Sequence, residues 1–185
     1  WLGLTVPEEY GGSAAGAVEL CLLLEHSLRG LAPIGGIGPT LITAAAYQKF
    51  GSEEQRKRAL ELTVGGGTLS ISMSEPGAGS DVAALRCKAE RDGDEWVING
   101  QKTWCSNAHF ADRILLVART DSSGKKHEGI TMFDVPADID GLQITGIETM
   151  GGKEVNDLYF TDVRLPADSV IGEVGGGWQQ LMTGL

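Results

Sequence analysis

The chain predicts an α+β fold: an N-terminal helical segment, then an antiparallel β-sandwich or barrel, then the opening of a second helical region. Three observations predict it. Apolar runs long enough for helices fill the first third and stop at Gly65-Gly66-Gly67. Short alternating or apolar runs then recur at roughly ten-residue spacing with no helical run between them, which argues against βαβ units. A second triplet, Gly175-Gly176-Gly177, precedes a last helix-like stretch, Trp178–Leu185. The expected domains are 1–67, helical and partial; 68–172, the β-domain; and 173–185, the start of a C-terminal helical bundle that is missing from this chain.

The elements follow in order. Ala17–Arg29 carries Val18, Leu20, Cys21, Leu22, Leu23, Leu24 and Leu28, and it ends at Gly30. A helix apolar on nearly every side is expected to lie buried between other elements. Pro39–Phe50 is a second, alanine-rich helix closed by Gly51. Ser52-Glu53-Glu54-Gln55 reads as a capping box opening a third helix, with Arg56, Lys57 and Arg58 on an exposed face. Leu69–Met73 alternates like a strand. Leu85–Glu90 and Glu95–Asn99 flank Arg91-Asp92-Gly93-Asp94, a hairpin turn signal, and Asn99-Gly100 reads as a second turn. Arg113–Arg119 and Gly129–Val135 are buried strands around a polar loop, Asp121–Lys126. Leu142–Ile147 and Leu158–Phe160 continue the series.

Composition narrows the function. With 185 residues, 42% hydrophobic and 22% charged, the chain is an ordinary globular one. A net charge of −10 supplies no basic field to displace counterions from nucleic acid. Cys21, Cys87 and Cys105 are scattered and lack CxxC spacing, so neither a disulfide framework nor a zinc site is expected. His26, His109 and His127 give no metal-ligand spacing. No run of about 18 apolar residues suggests a membrane span.

Two stretches carry chemistry. Ser72–Asp81 reads Ser-Met-Ser-Glu-Pro-Gly-Ala-Gly-Ser-Asp. Its glycines let backbone N–H groups approach a ligand, and Ser74 and Ser80 add hydroxyls, a set suited to an oxygen-rich anion. Trp104-Cys105-Ser106-Asn107 offers an indole face, a hydroxyl and an amide, a set suited to a flat heteroaromatic ring. One site reading both is a site for a nucleotide-type cofactor. The plain alternative is a polar surface turn and a core tryptophan. The glycine run is not GxGxxG and no βαβ unit surrounds it, so a Rossmann site is not indicated.

Ser74-Glu75-Pro76-Gly77-Ala78-Gly79-Ser80-Asp81, followed by Trp96-Val97-Ile98-Asn99-Gly100-Gln101-Lys102-Thr103-Trp104, strongly resembles the acyl-CoA dehydrogenases, which carry FAD. Val6–Gly12, Phe50–Gln55 and Phe160–Pro166 resemble further segments of the family in the same order. The resemblance implies α,β-dehydrogenation of an acyl-CoA thioester with hydride transfer to flavin N5. It implies that Ile71, Ser72, Met73, Ser74, Gly79 and Ser80 line the flavin and its pyrophosphate, with Ser74 at the pyrimidine edge. Ser80 would also help place the acyl-CoA. Trp104, Cys105 and Ser106 would lie along the flavin face away from the substrate, Ser106 donating to N5 where relatives often have threonine. Cys105 replaces an aliphatic residue as a packing substitution. The family's Arg before the last strand is not evident in Met150–Asn156.

The resemblance also implies a catalytic base C-terminal to Leu185, electron-transfer flavoprotein as acceptor, and a homodimer or homotetramer. The compartment would be bacterial cytoplasm or mitochondrial matrix. Within the chain, Glu75 reads as a structural acceptor in a turn rather than a base. His109 reads as a surface residue. Lys125, Lys126 and His127 read as a solvated loop, with contact to CoA as the sharper alternative. Asp92 and Asp94 belong to a turn. Trp96 and Trp178 read as packing residues. Two other functions fit the same residues: a non-catalytic flavin- or CoA-binding subunit, and a same-fold oxidase acting on acyl-CoA or nitroalkanes.

Overall fold

The computed structural model describes residues 1–184, and of the expected Trp178–Leu185 helix only Leu185 lies outside them. Three helices come first: α1 (Ala17–Arg29), α2 (Ile37–Phe50) and α3 (Glu53–Val64). Eight strands follow: β1 (Leu69–Ser72), β2 (Lys88–Asp92), β3 (Glu95–Ser106), β4 (Arg113–Arg119), β5 (Ile130–Pro136), β6 (Leu142–Thr149), β7 (Gly152–Pro166) and β8 (Val170–Ile171). Helix α4 (Gly177–Gly184) ends the described chain.

The capping box forms as read. Ser52 Oγ accepts from the Gln55 N–H at 3.2 Å, and Gln55 Oε1 accepts from the Ser52 N–H at 2.9 Å. Gln55 Nε2 then donates to the carbonyls of Asp168 and Val170, so the same side chain ties α3 to the end of the sheet. Helix α2 buries Thr40, Leu41, Thr43, Ala44, Ala46 and Tyr47. Helix α1 overturns its expectation, because none of its residues is buried and Val18 and Leu28 are more than half exposed. Its apolar surface instead borders an open groove of about 770 Å³ with Trp1, Leu4, Ile34 and Ile37. Hydrophobicity states which surface needs cover; it does not say that a neighbour within the described residues provides it.

The strands run in the order β6-β7-β3-β2-β4-β5-β8, all antiparallel except at β4. One edge of β4 is shared: β1 pairs with its first half in parallel, Leu69 opposite Arg113, while β2 meets it only at Lys88 opposite Arg119. The sheet doubles over, so Trp96 of β3 meets Phe133 of β5 edge to face at 5.5 Å. Alternation along β4 separates two cores. Ile114, Leu116 and Ala118 face the interior of the folded sheet with Ile98, Leu158, Phe160 and Val163. Leu115 and Val117 face the helices with Ala44, Tyr47, Ala59 and Leu60. This is the α+β sandwich that the periodicity predicts.

One local reading is corrected. Asn99-Gly100 is not a turn: β3 runs straight through it to Ser106, with a shift of register between Ile98 and Gly100. Gly100 has φ +147, and a Cβ there would lie 2.7 Å from Cys87 Cα, so the glycine serves a bulge. Arg58 is exposed, as read, and its guanidinium also donates to buried Asp134 at 2.6 Å. Asp134 also accepts from Tyr47 Oη at 2.5 Å and Arg113 Nε at 2.6 Å, which locks α2 and α3 to β4 and β5.

Candidate functional site

The two chemistry-bearing stretches meet. Beyond β1 the chain continues through Met73 and Ser74 into a tight turn closed by reciprocal backbone bonds of 3.0 Å between Glu75 and Ala78. The last residues of β3 run beside it. The Thr103 N–H donates to the Ser74 carbonyl at 2.9 Å, Cys105 Sγ donates to the Ile71 carbonyl at 3.1 Å, and Ser70 Oγ donates to the Ser106 carbonyl at 2.7 Å. Ser74 and Trp104 are thus held together across about thirty residues of sequence. Ser80 lies further along the exposed loop, and among the described residues no hydrogen bond joins it to β3.

Trp104 is the unusual residue. It has φ +59, where a bulky side chain is strained, and it is 61% exposed. Its neighbours are anchored and buried: Thr103 Oγ1 donates to Asp157 at 2.5 Å, and the Cys105 carbonyl accepts from Asn156 Nδ2 at 2.9 Å. The pairing register of β3 with β7 shifts between Lys102 and Cys105, so the indole is turned out of the sheet on a fixed frame. Ser106 and Ser74 are half-buried beside it. Ser72 and Cys105 are buried, so a ligand would meet their main chain rather than their side chains. Ile71 and Met73 are half-buried, packed against the helix-facing core.

The turn after Ser74 is a cradle. A Cβ on Gly77 or Gly79 would meet nothing within 4 Å, and neither has a positive φ. Nothing in the described residues demands glycine there. Their N–H groups and that of Ser80 also lack partners among the described residues. An anion approaching the loop would find open space and free donors.

Glu75 is an acceptor, as read. It takes the N–H groups of Arg86 and Cys87 at 2.7 and 2.8 Å and the Lys102 ammonium at 2.8 Å. Lys102 is fully buried and also donates to the Met73 carbonyl at 2.8 Å. Burial lowers its pKa, an effect opposed by Cys87 and Glu75 beside it. Burial likewise pushes the Cys87 thiol up to about 11 and raises that of Cys105. Lys102 was missed by sequence reasoning. Its one signal was a single charge in an otherwise uncharged run from Gln101 to Ala108.

The remaining polar candidates stay at the surface, and the two tryptophans pack inward. His109 is exposed, and Lys126 pairs with Asp81 at 3.0 Å, which ties the β4–β5 loop to the loop carrying Ser80. Arg119 braces the same place by donating to the carbonyls of Ala83, Leu85, Lys126 and Glu128. Asp92 pairs with Arg164, Trp96 is buried, and Trp178 packs against the helix-facing core. Among the described residues no group of His, Cys, Asp and Glu could hold a metal, and no helix is long and apolar enough to cross a membrane.

Known proteins share this chain's sequence pattern and fold. Residues 1–67 match the family described as "Acyl-CoA dehydrogenase, N-terminal domain", and residues 70–163 match "Acyl-CoA dehydrogenase, middle domain". The chain belongs to the acyl-CoA dehydrogenase family. It is 38% identical to acyl-CoA dehydrogenase FadE26 of Mycobacterium tuberculosis over 97% of this chain and 46% of that protein. It is 35% identical to the mitochondrial isovaleryl-CoA dehydrogenase of Solanum tuberosum, over all of this chain and 46% of that one. Among solved structures, the ChsE4–ChsE5 complex from M. tuberculosis matches with TM-score 0.89 and 37% identity, over 99% of this chain and 48% of that one. The Geobacillus kaustophilus acyl-CoA dehydrogenase matches with TM-score 0.90 and 32% identity, over 97% and 49%. The chain spans about half the length of the relatives it matches.

Proposed function

We propose that this chain provides the flavin-holding face of an FAD-dependent acyl-CoA dehydrogenase that removes hydrogen from the α and β carbons of an acyl-CoA thioester. The observation that carries the reading is Trp104: a strained, outward-facing indole on a rigid strand, beside a glycine cradle whose donors are free. Strain of this kind costs about 1–3 kcal/mol and persists where the surrounding structure enforces it, as at ligand sites. FAD, when bound, would accept the hydride lost from the β carbon. Trp104 would cover one ring face, and the Ser74 and Ser106 hydroxyls would orient its polar edges. Gly77, Gly79 and Ser80 would donate N–H groups to the pyrophosphate, with Ser80 also placing the thioester. Glu75, spent on three donors, is no base; a carboxylate C-terminal to Leu185 fills that role in this reading. Electron-transfer flavoprotein is the proposed acceptor, and a homodimer or homotetramer the proposed assembly.

A second reading is favoured by two matching structures, the ChsE4–ChsE5 complex and the Tcur3481–Tcur3483 steroid ACAD, each named for two proteins. In it the chain works beside a second, different subunit. One experiment tests both. The full-length protein, which carries the carboxylate the first reading places C-terminal to Leu185, is titrated with FAD, and bleaching of the bound flavin is followed after an acyl-CoA is added. Saturable FAD binding with substrate-dependent bleaching supports the first reading. Binding without bleaching until a partner chain is added supports the second, and no FAD binding in either state sinks both.

A further inference from the structure

Lys102 lies where the two walls of the proposed cofactor cleft join. Its side chain starts on β3, two residues before Trp104. It ends on the Met73 carbonyl, one residue before Ser74, and on Glu75, one residue after it. Glu75 extends the connection to Arg86 and Cys87 through its two carboxylate oxygens. The ammonium binds the Met73 carbonyl and Glu75 at 2.8 Å each, and through Glu75, which accepts from Arg86 and Cys87 at 2.7 and 2.8 Å, it links three backbone segments.

Stability alone does not call for this arrangement. Desolvating an ion pair roughly cancels its attraction, and well-packed apolar residues of similar volume often serve as well or better. An apolar side chain, however, cannot grip the Met73 carbonyl. Net charge is also nearly balanced within the pair, so its field beyond the cleft is small and its effect is geometric. We infer that Lys102 and Glu75 are positioning residues that set the separation between the wall carrying Ser74 and the wall carrying Trp104 and Ser106. This rests on the flavin reading above. A misplacement of about 1 Å at such a site can cost on the order of a hundredfold in rate.

The test uses the FAD-loaded full-length protein and three variants: Lys102→Met, Lys102→Met with Glu75→Gln, and Lys102→Arg. The double variant removes both charges and so avoids leaving one buried without its partner. Melting temperature, FAD affinity, the visible spectrum of bound flavin and its rate of reduction by acyl-CoA are measured together. The double variant keeps one acceptor oxygen at position 75 for two backbone N–H groups, so it is expected to melt somewhat below the unaltered protein while still folding. Its FAD affinity should fall by about tenfold or more, with a shifted flavin spectrum and slower reduction. Lys102→Arg, which keeps the charge but not the reach, should move the same way. If Lys102→Met fails to fold, the double and Arg variants carry the test. The inference is overturned if these variants keep FAD affinity within about twofold and keep the spectrum and reduction rate, whatever happens to melting. Failure of the unaltered protein to bind FAD would instead sink the flavin reading from which the inference starts.

Discussion

Asp134 and Glu75 are both nearly buried carboxylates, and both hold cations that bridge distant segments. Their surroundings differ. Asp134 gathers two guanidinium groups and a phenol, all from side chains, and joins α2 and α3 to β4 and β5. Glu75 takes two backbone N–H groups and one ammonium, and joins three stretches of main chain beside Trp104. Side-chain partners can tolerate movement between layers. Main-chain partners fix the path of a loop. The first cluster therefore serves assembly of the fold, and the second serves the shape of one site.

The largest test of that contrast is Asp134→Ala, which leaves Arg113 three-quarters buried or more without its carboxylate. A loss of about 3–5 kcal/mol in urea-derived stability is expected, and a loss below about 1 kcal/mol would remove Asp134 from the assembly role. Cys87, beside the second cluster, gives the next effect. Burial raises its thiol from an ordinary value near 9.0 to about 11 in the folded chain. The unfolded chain thus releases its proton first, and stability falls as pH rises from 9 toward 11. About 2–3 kcal/mol is at stake, and comparison with Cys87→Ala isolates it; equal alkaline slopes would refute the assignment.

Tyr47→Phe removes one donor from Asp134 and should cost about 1.5–3 kcal/mol, the range for a hydrogen bond to a charged group. Burial and Asp134 raise the Tyr47 pKa, so its phenol stays protonated through the neutral range in which the loss is measured. Ser106→Ala should act on the cleft alone, slowing flavin reduction about threefold to tenfold with melting unchanged; an unchanged rate would clear Ser106 of contact with the reacting ring. The smallest effect belongs to α1. Leu28→Ser, at an exposed position, should shift stability by no more than about 0.5 kcal/mol, and a larger shift would mean that α1 is covered in solution.

Local rules made much of the fold legible. The Ser52–Gln55 capping box, the glycine stops and the alternation along β4 each depend on neighbours in sequence. Asn99-Gly100 misled for a tertiary reason. The Asn99 amide bonds across to Asp162 at 3.0 and 2.9 Å, which keeps β3 extended where an isolated Asn-Gly would turn. At the site, the motif residues were legible because hydroxyls, glycines and an indole advertise their chemistry. That Ser72 and Cys105 face inward, and that Lys102 crosses beneath both stretches, depends on strands paired across the chain.

The parallel pairing of β1 with β4 has a consequence for the order in which the molecule forms. Leu69 must find Arg113, and Glu95 must find Pro166, before the stretches at Ser74 and Trp104 can meet. Such contacts close long loops, whereas α2 and α3 need only their own neighbourhoods, so the sheet is the slow step. By contact order, the cleft, which depends on these distant pairings, is expected to form late in folding. A cofactor that fits it would bind the finished chain and none of its precursors, and would draw the population forward by mass action. Supply of that cofactor would then govern how much of the protein is folded as well as how much is active.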